Sequence, residues 1–163
     1  MSIELTVDAR QLKALAARIR REEASKQLRK DLVVGIRAAV APGVSLVQGK
    51  LRAIPHNSAA NPSPSLGTYL ASRTRPQVKL VGWSAGVRVR IPQTPQLRGF
   101  KLAARRLNRT HWRHKVFGRE VWVEQQSPIP GFFDDTLFAE RDKYRAAVFA
   151  AVHKMANRLG ETL

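Results

Sequence analysis

Cysteine is absent from this sequence of 163 residues. Its absence excludes a disulfide scaffold, a thiolate zinc site and a cysteine nucleophile. Aromatic residues are also few, at 7% of the chain, but apolar residues make up 44%, which favours a globular protein over a disordered one. A chain of this length can bury a core without disulfides or metals, so we expect a single domain over residues 1–163.

Long apolar runs are missing as well. No run approaches the roughly 20 residues that a membrane span needs, and the N-terminal sequence MSIELTVDAR lacks the apolar core of a signal peptide. We therefore expect a soluble protein that is made in the cytoplasm and has no membrane partner.

Acidic residues are missing from the whole middle of the chain. There are 29 Lys and Arg against 12 Asp and Glu, a formal charge of +17, and every acid lies in Glu4–Asp31 or Glu120–Glu161. Residues 32–119, here called the acid-free block, carry sixteen Lys or Arg. Because a solvated surface normally mixes both signs, the block predicts a polyanionic partner, either nucleic acid or an acidic protein surface. The remaining alternative is a role in solubility alone.

Apolar spacing predicts two helices in the N-terminal third. Asp8 is a suitable N-cap for a first helix through Ile19, and a loss of phase places a break near Arg21–Ser25. Apolar residues then recur every three or four positions from Leu28 to Ile54. Since the stripe keeps its phase through Pro42, we predict one long helix that is kinked there but not ended.

The C-terminal segment predicts a further helix, capped by Asp134 or Asp135 and ended by Gly160. Strand character is found in four short segments: residues 1–7, Gln77–Val81, Val87–Ile91 and Glu120–Glu124. Residues 82–86 (GWSAG) predict a hairpin turn, 55–67 and 92–98 predict loops, and 99–110 a short basic helix. The fold class predicted is α+β, with the long kinked N-terminal helix and the C-terminal helix packed on a small antiparallel sheet.

Basic residues on two of these elements are the predicted contact surface for a polyanion or partner. Arg88 and Arg90 lie on the strand face opposite to Val87, Val89 and Ile91, and the short basic helix supplies the other cations. The predicted contact residues are Arg88, Arg90, Lys101, Arg105, Arg106 and Arg109. No zinc-finger spacing, aromatic RNA-binding strand or clear helix-turn-helix pair accompanies them, so the pattern predicts attraction to polyanions without sequence reading.

Catalytic patterns are weak. His111 and His114 have metal-ligand spacing, but no carboxylate lies in the acid-free block and Arg113 and Lys115 would repel a cation. Glu120 and Glu124 are expected to pair with arginines of the block instead of serving as acid and base. The sequence also lacks a nucleophile elbow and a glycine-rich phosphate loop. We therefore expect no enzymatic activity, no metal and no cofactor.

The segment HWRHKVFGREVWVEQQSPIPGFFDDTL, residues 111–137, resembles a stretch found in small tail-completion or neck proteins of long-tailed bacteriophages. The upstream segments SLGTYLASRTRPQV and SAGVRVRI fit the same pattern, whereas Lys115 stands where many relatives have proline. The positions that carry the resemblance are Trp112, His114, Val116, Phe117, Gly118, Trp122, Pro130, Gly131, Phe132, Phe133 and Asp134.

The resemblance implies a virion structural protein at the head–tail junction, made in the host cytoplasm. It implies a hexameric ring, or a ring of another order, between adjacent head-closure and tail proteins, with possible non-specific contact to genome DNA. Residues 116–118 and 130–133 would then be loops whose aromatics pack in the core or against the next subunit. Two alternatives stay open: a tail terminator that caps the tail tube, and a basic nucleic-acid-binding accessory protein outside the virion.

Overall fold

The computed structural model of the chain describes residues 2–5, 9–22, 25–55, 65–81, 85–93, 102–115 and 119–160. The helices within these residues are α1 (Ala9–Ile19), α2 (Ser25–Arg52), α3 (Leu66–Arg73), α4 (Ala103–Asn108), α5 (Asp134–Ala139) and α6 (Arg141–Arg158). The strands are β1 (Ser2–Leu5), β2 (Arg75–Lys79), β3 (Gly86–Arg90), β4 (His111–Lys115) and β5 (Trp122–Gln126).

All strand pairs in the described part of the chain are antiparallel. Sheet A has the order β1–β3–β2, and β4 pairs with β5 in a two-stranded ribbon, here called the ribbon. Helices and antiparallel sheets therefore coexist without a parallel crossover, which confirms the predicted α+β class. The pairing of β2 with β3 confirms the predicted hairpin, although turn residues 82–84 lie outside the described residues.

Backbone contacts divide the chain into two compact units, each assembled from segments that are distant in the sequence. Unit 1 contains Ser45–Thr74 and Ile91–Ala139, and unit 2 contains Ser2–Val44, Arg75–Arg90 and Glu140–Leu163. A single domain over residues 1–163 stays a prediction, and each unit is described by itself below.

Unit 2 is built from α1, the first part of α2, sheet A and α6. Its core consists of the apolar stripes that helical spacing predicted, with buried residues Leu12, Leu15, Ile19, Leu32, Ile36, Val40, Val148 and Val152. Helix α6 contacts both α1 and β1. Gly43 allows α2 to approach α6 closely, because a Cβ there would lie 2.9 Å from the ring of Tyr144. Burial raises the pKa of the Tyr144 phenol above its ordinary value.

Helix α2 continues through Pro42, as the phase of its apolar stripe predicted. The break before it is also confirmed, since α1 ends at Ile19 and α2 begins at Ser25, whereas the predicted cap Asp8 lies outside the described residues. By length and composition alone, α2 is apolar enough to cross a membrane, which the sequence analysis did not anticipate. Core helices of globular proteins can meet the same criterion; in α2, 33% of the apolar window is buried, including Val47 and Leu51.

The sequence predictions need correction at four elements. The C-terminal helix is not continuous from Asp134, because a turn at Glu140 separates α5 from α6. The second strand begins at Arg75 instead of Gln77, and the strand predicted at Glu120–Glu124 occupies Trp122–Gln126. Strand β4 was not predicted at all, since His111–Lys115 contains one buried side chain and no apolar alternation.

Unit 1 contains α3, α4, the ribbon, α5 and the C-terminal part of α2. Helix α3 begins with the Ser65 hydroxyl accepting a hydrogen bond from the Thr68 amide at 3.1 Å, an N-cap that the sequence analysis placed within a loop. Its first turn lies directly against the end of α2. A Cβ on Gly67 would overlap the carbonyl oxygen of Leu51, so only glycine permits this approach.

We expect Gly67→Ala to destabilise the protein by about 1–3 kcal/mol, the usual cost of overpacking, because the obstructing atom belongs to the backbone and cannot rotate away. Gly49→Ala is the matched control, since Gly49 lies in α2 and a Cβ added there would meet no atom within 4 Å. That change should stabilise the helix by up to about 1 kcal/mol. Chemical denaturation measures both, and equal effects of the two substitutions would contradict the packing described.

Candidate partner-binding surfaces

Asn108, the last residue of α4, organises the turn of unit 1 that precedes α5. Its backbone carbonyl accepts a hydrogen bond from the Gly131 amide at 2.9 Å. Its side-chain oxygen Oδ1 accepts from the amides of Phe133 at 2.9 Å and Asp134 at 3.3 Å, and its Nδ2 donates to Asp134 Oδ2 at 2.6 Å. One side chain thus satisfies the first free amides of α5, which a helix start otherwise leaves without partners.

The turn before α5 requires glycine at position 131 and buries the two phenylalanines that follow it. Gly131 has a φ of +66°, a conformation that residues with a Cβ rarely adopt, and a Cβ there would also collide with the Asp135 carboxylate. Phe132 and Phe133 are both buried, with their rings edge to face at 6.2 Å. Of the two locations expected for these aromatics, the structure therefore gives the core of unit 1.

Ser127 fastens the ribbon to α4 at the end where β5 leaves it. Its amide donates to the carbonyl of Thr110 at 2.8 Å, and its hydroxyl donates to the carbonyl of Leu107 while accepting from the Ile129 amide at 3.2 Å. Trp112 is buried on β4. The base of the ribbon is therefore anchored by hydrogen bonds and one large side chain.

The two faces of the ribbon differ in character. Cross-strand register pairs Arg113 with Glu124 and Lys115 with Trp122 on the face away from Trp112. Trp122 is 52% exposed, and the Lys115 ammonium lies 5.8 Å from the centre of its ring, a cation–π distance. Trp122 is thus an aromatic side chain that the fold leaves largely in solvent.

Two histidines and two glutamates that the sequence singled out lie on or next to the ribbon. His111 and His114 are three positions apart on a strand, so they point to opposite faces and cannot share one metal ion as they could on a helix. Glu120 pairs with Lys115 at 2.6 Å and Glu124 lies 3.7 Å from His111 Nε2, so their closest basic partners are not the arginines predicted. Among the described residues, no group of three or more His, Asp or Glu could hold a metal ion.

An open pocket of about 580 Å³ lies beside the Asn108 turn. It is lined by the Arg109 guanidinium and by the exposed carboxylates of Asp134 and Asp135. The lining residues are Asn108, Arg109, Thr110, His111, Pro130, Gly131, Asp134 and Asp135. Because Asp134 is held by Asn108, this carboxylate has a structural use within the turn.

The predicted contact cations belong to different units. Arg88 and Arg90 lie in unit 2, on β3, whereas Arg105, Arg106 and Arg109 lie in unit 1. Arg105 and Arg109 are exposed, but Arg106 is half-buried and engaged in a further interaction. Lys101, Val116, Phe117 and Gly118 lie outside the described residues.

Sheet A adds two cations that the sequence analysis did not single out. Arg75 on β2 is the register partner of Arg90 on β3, and Lys79 shares their face. Both arginines are exposed, while Val87 and Val89 on the opposite face are buried, as predicted. Like charges directly opposite each other in a sheet are destabilising. Sequence spacing could not predict this opposition, because the cross-strand register pairs residues fifteen positions apart.

Comparison with known proteins gives no match to a protein-family model, to a curated protein or to a solved structure.

We expect Asn108→Ala to destabilise the protein by about 1–3 kcal/mol, because it leaves the amides of Phe133 and Asp134 without their acceptor. Asn157→Ala is the matched control, since Asn157 is exposed on α6 and alanine favours a helix. Urea unfolding monitored by tryptophan fluorescence reports on both variants. An Asn108→Ala protein as stable as the control would show that the turn does not depend on this side chain.

Proposed function

We propose that this chain is a non-enzymatic structural subunit of the head–tail junction of a long-tailed bacteriophage, where copies form a ring that joins the head connector to the tail. The observation that carries the proposal is the segment 111–137, which resembles tail-completion and neck proteins. In unit 1 this segment supplies both a packed turn, through Phe132 and Phe133, and an exposed aromatic, Trp122. A ring subunit needs a packed turn in order to fold, and it needs an exposed apolar side chain in order to dock with a partner.

The chemistry of the described side chains supports a structural role over a catalytic one. His111 and His114 diverge on β4, and Asp134 is bonded to Asn108 in a turn. Glu120 is paired with Lys115. These two histidines are therefore separated, and these two carboxylates are engaged in structural contacts.

Acidic surfaces of adjacent head-closure or tail proteins are the partners that we propose for the cations of α4. Genome DNA is the competing anion, but many direct phosphate contacts would resist the passage of DNA through a channel, with the steep salt dependence of counterion release. Rim ion pairs contribute little individually, yet they steer association and fix orientation. Arg105 is the best placed cation, because it is exposed at α4.

Arg105→Glu is expected to lower the fraction of phage heads that carry tails, because it replaces an attraction worth up to about 1 kcal/mol per copy by repulsion. Reversal at Arg106 is less informative, since that side chain is half-buried and would test folding as well. Arg145→Glu, at an exposed position of α6, controls for the change in net charge. Electron microscopy of particles counts joined heads.

Normal joining with Arg105→Glu would contradict docking through this surface. Absence of the chain from purified particles, determined by mass spectrometry, would contradict the virion role itself. Particles that join normally but fail to retain or eject DNA would indicate that Arg105 contacts the genome.

A second candidate function, binding to a nucleic-acid backbone, is favoured by the exposed pair Arg75 and Arg90 on sheet A. Neither β2 nor β3 contains an acid, and the one acid on the three strands of sheet A, Glu4 of β1, is the register partner of Arg88 and not of Arg75 or Arg90. An external phosphate would relieve the repulsion between them. The face carries no aromatic residue on β2 or β3 for base stacking, which favours duplex backbone over single strands.

If duplex DNA binds this face, replacing both Arg75 and Arg90 by Gln should reduce the slope of log K against log salt by about 2, one unit for each phosphate contact. Fluorescence anisotropy with a labelled duplex measures that slope. Arg145→Gln, whose guanidinium lies 3.9 Å from Asp142, is the control and should change it little. An unchanged slope in the double variant would exclude this face as a DNA contact.

A further inference from the structure

The ribbon exposes almost all of its side chains. Among the residues of β4 and β5 only Trp112 is buried, while Trp122 and the preceding Val121 are 52% and 56% exposed. A two-stranded ribbon is marginally stable in water and ordinarily needs a third strand or a packed face. The base of the ribbon is anchored at Ser127. At the opposite end, the apolar side chains of Val121 and Trp122 are exposed to solvent.

Both outer edges of the ribbon are suited to strand pairing. In the described part of the chain, neither β4 nor β5 pairs with a further strand, and neither contains proline. Strand β2, an edge of sheet A, differs because it contains Pro76, which removes a backbone donor. Proline at an edge is one of the devices by which proteins prevent strand addition. The ribbon lacks that protection.

The two strands of the ribbon carry opposite charges on their outward face. Strand β4 presents Arg113 and Lys115, and strand β5 presents Glu124, with Glu120 just before it. Unit 1 has four carboxylates in all, and two of them are these glutamates. Half of the side-chain carboxylates of this otherwise basic unit are therefore on β5 or just before it.

We propose that the ribbon joins copies of this chain head to tail, with the outer edge of β5 in one copy pairing with the outer edge of β4 in the next. A neighbour related by a small rotation presents its β4 antiparallel to β5, so the two ribbons form one continuous antiparallel sheet. Glu124 then faces the Arg113 and Lys115 edge of the neighbour. Trp122, on the same face as Glu124, is covered in the same contact.

The charges select this arrangement over a two-fold one. Pairing β5 with the β5 of a second copy would set Glu124 against Glu124, and pairing β4 with β4 would set cation against cation. Only the β5-to-β4 contact brings opposite signs together, which matters in a chain of net charge +17. Such heterologous contacts close into rings when the rotation permits. The inference rests on the proposed function, because it specifies how the proposed ring is built.

The test uses sedimentation velocity of the purified full chain over a range of concentrations. The wild-type chain should associate, and Glu124→Arg and Arg113→Glu should each remain monomeric because like charges then meet at every contact. An equimolar mixture of these two variants should associate again, since each presents an edge complementary to the other. The double variant Arg113→Glu/Glu124→Arg keeps both the cross-strand pair within the ribbon and the complementary edges, so it should associate like the wild type.

The mixture separates docking from folding, because two misfolded single variants would not restore association in each other. A wild-type chain that stays monomeric at every concentration would overturn the proposal, as would single variants that associate normally or a mixture that fails to associate. None of these outcomes depends on whether the chain is found in purified particles, which tests the proposed function separately.

Discussion

Excess positive charge is the constraint on which the rest of this structure depends. With 29 cations against 12 acids, the chain must keep its cations at the surface or bring anions to them, because self-repulsion destabilises a compact state. No Lys or Arg is buried in the described part of the chain, and the half-buried ones are Arg73, Arg88, Arg106 and Arg141. Six described carboxylates already have a basic partner within the chain. The surplus cations can therefore be neutralised only from outside.

Within unit 1, uncharged polar side chains at the ends of strands and helices stabilise the fold through hydrogen bonds. Asn108 holds the turn at Gly131 and the first amides of α5, and Ser127 holds the ribbon against α4. None of these hydrogen bonds uses a side chain on the outward face of the ribbon. Segment 111–137, on which the proposed phage role depends, thus contains two kinds of residue: those that fix the turn, and Trp122, which remains exposed.

Helical periodicity predicted the large elements because each buries one continuous stripe. Helix α2 kept its phase through Pro42, and α6 buries Val148 and Val152 as expected. The interruption at Glu140 escaped prediction because the buried positions on either side of it, Leu137 and Tyr144, still fit one helical repeat. A single turn residue leaves no mark on such a pattern.

The site was less predictable for reasons of distance and exposure. Strand β4 has no apolar alternation because both of its faces are largely solvated. The partners of Asn108 lie some 25 residues further along the chain, and the opposition of Arg75 and Arg90 exists only in the register of sheet A. Sequence spacing carries information about neighbours on one element. It carries little about contacts made by register or by a turn between elements.

The proposed role as a ring subunit of a phage head–tail junction is tested most directly by a cryo-electron microscopy map of that junction in particles proposed to contain this chain. The account predicts a ring of copies at that junction, with the ribbon of each copy contacting its neighbour and the exposed cations of α4 facing acidic surfaces of adjacent proteins. A junction built without this chain would contradict the account. A ring in which every ribbon points into solvent would contradict the way in which its copies are proposed to join.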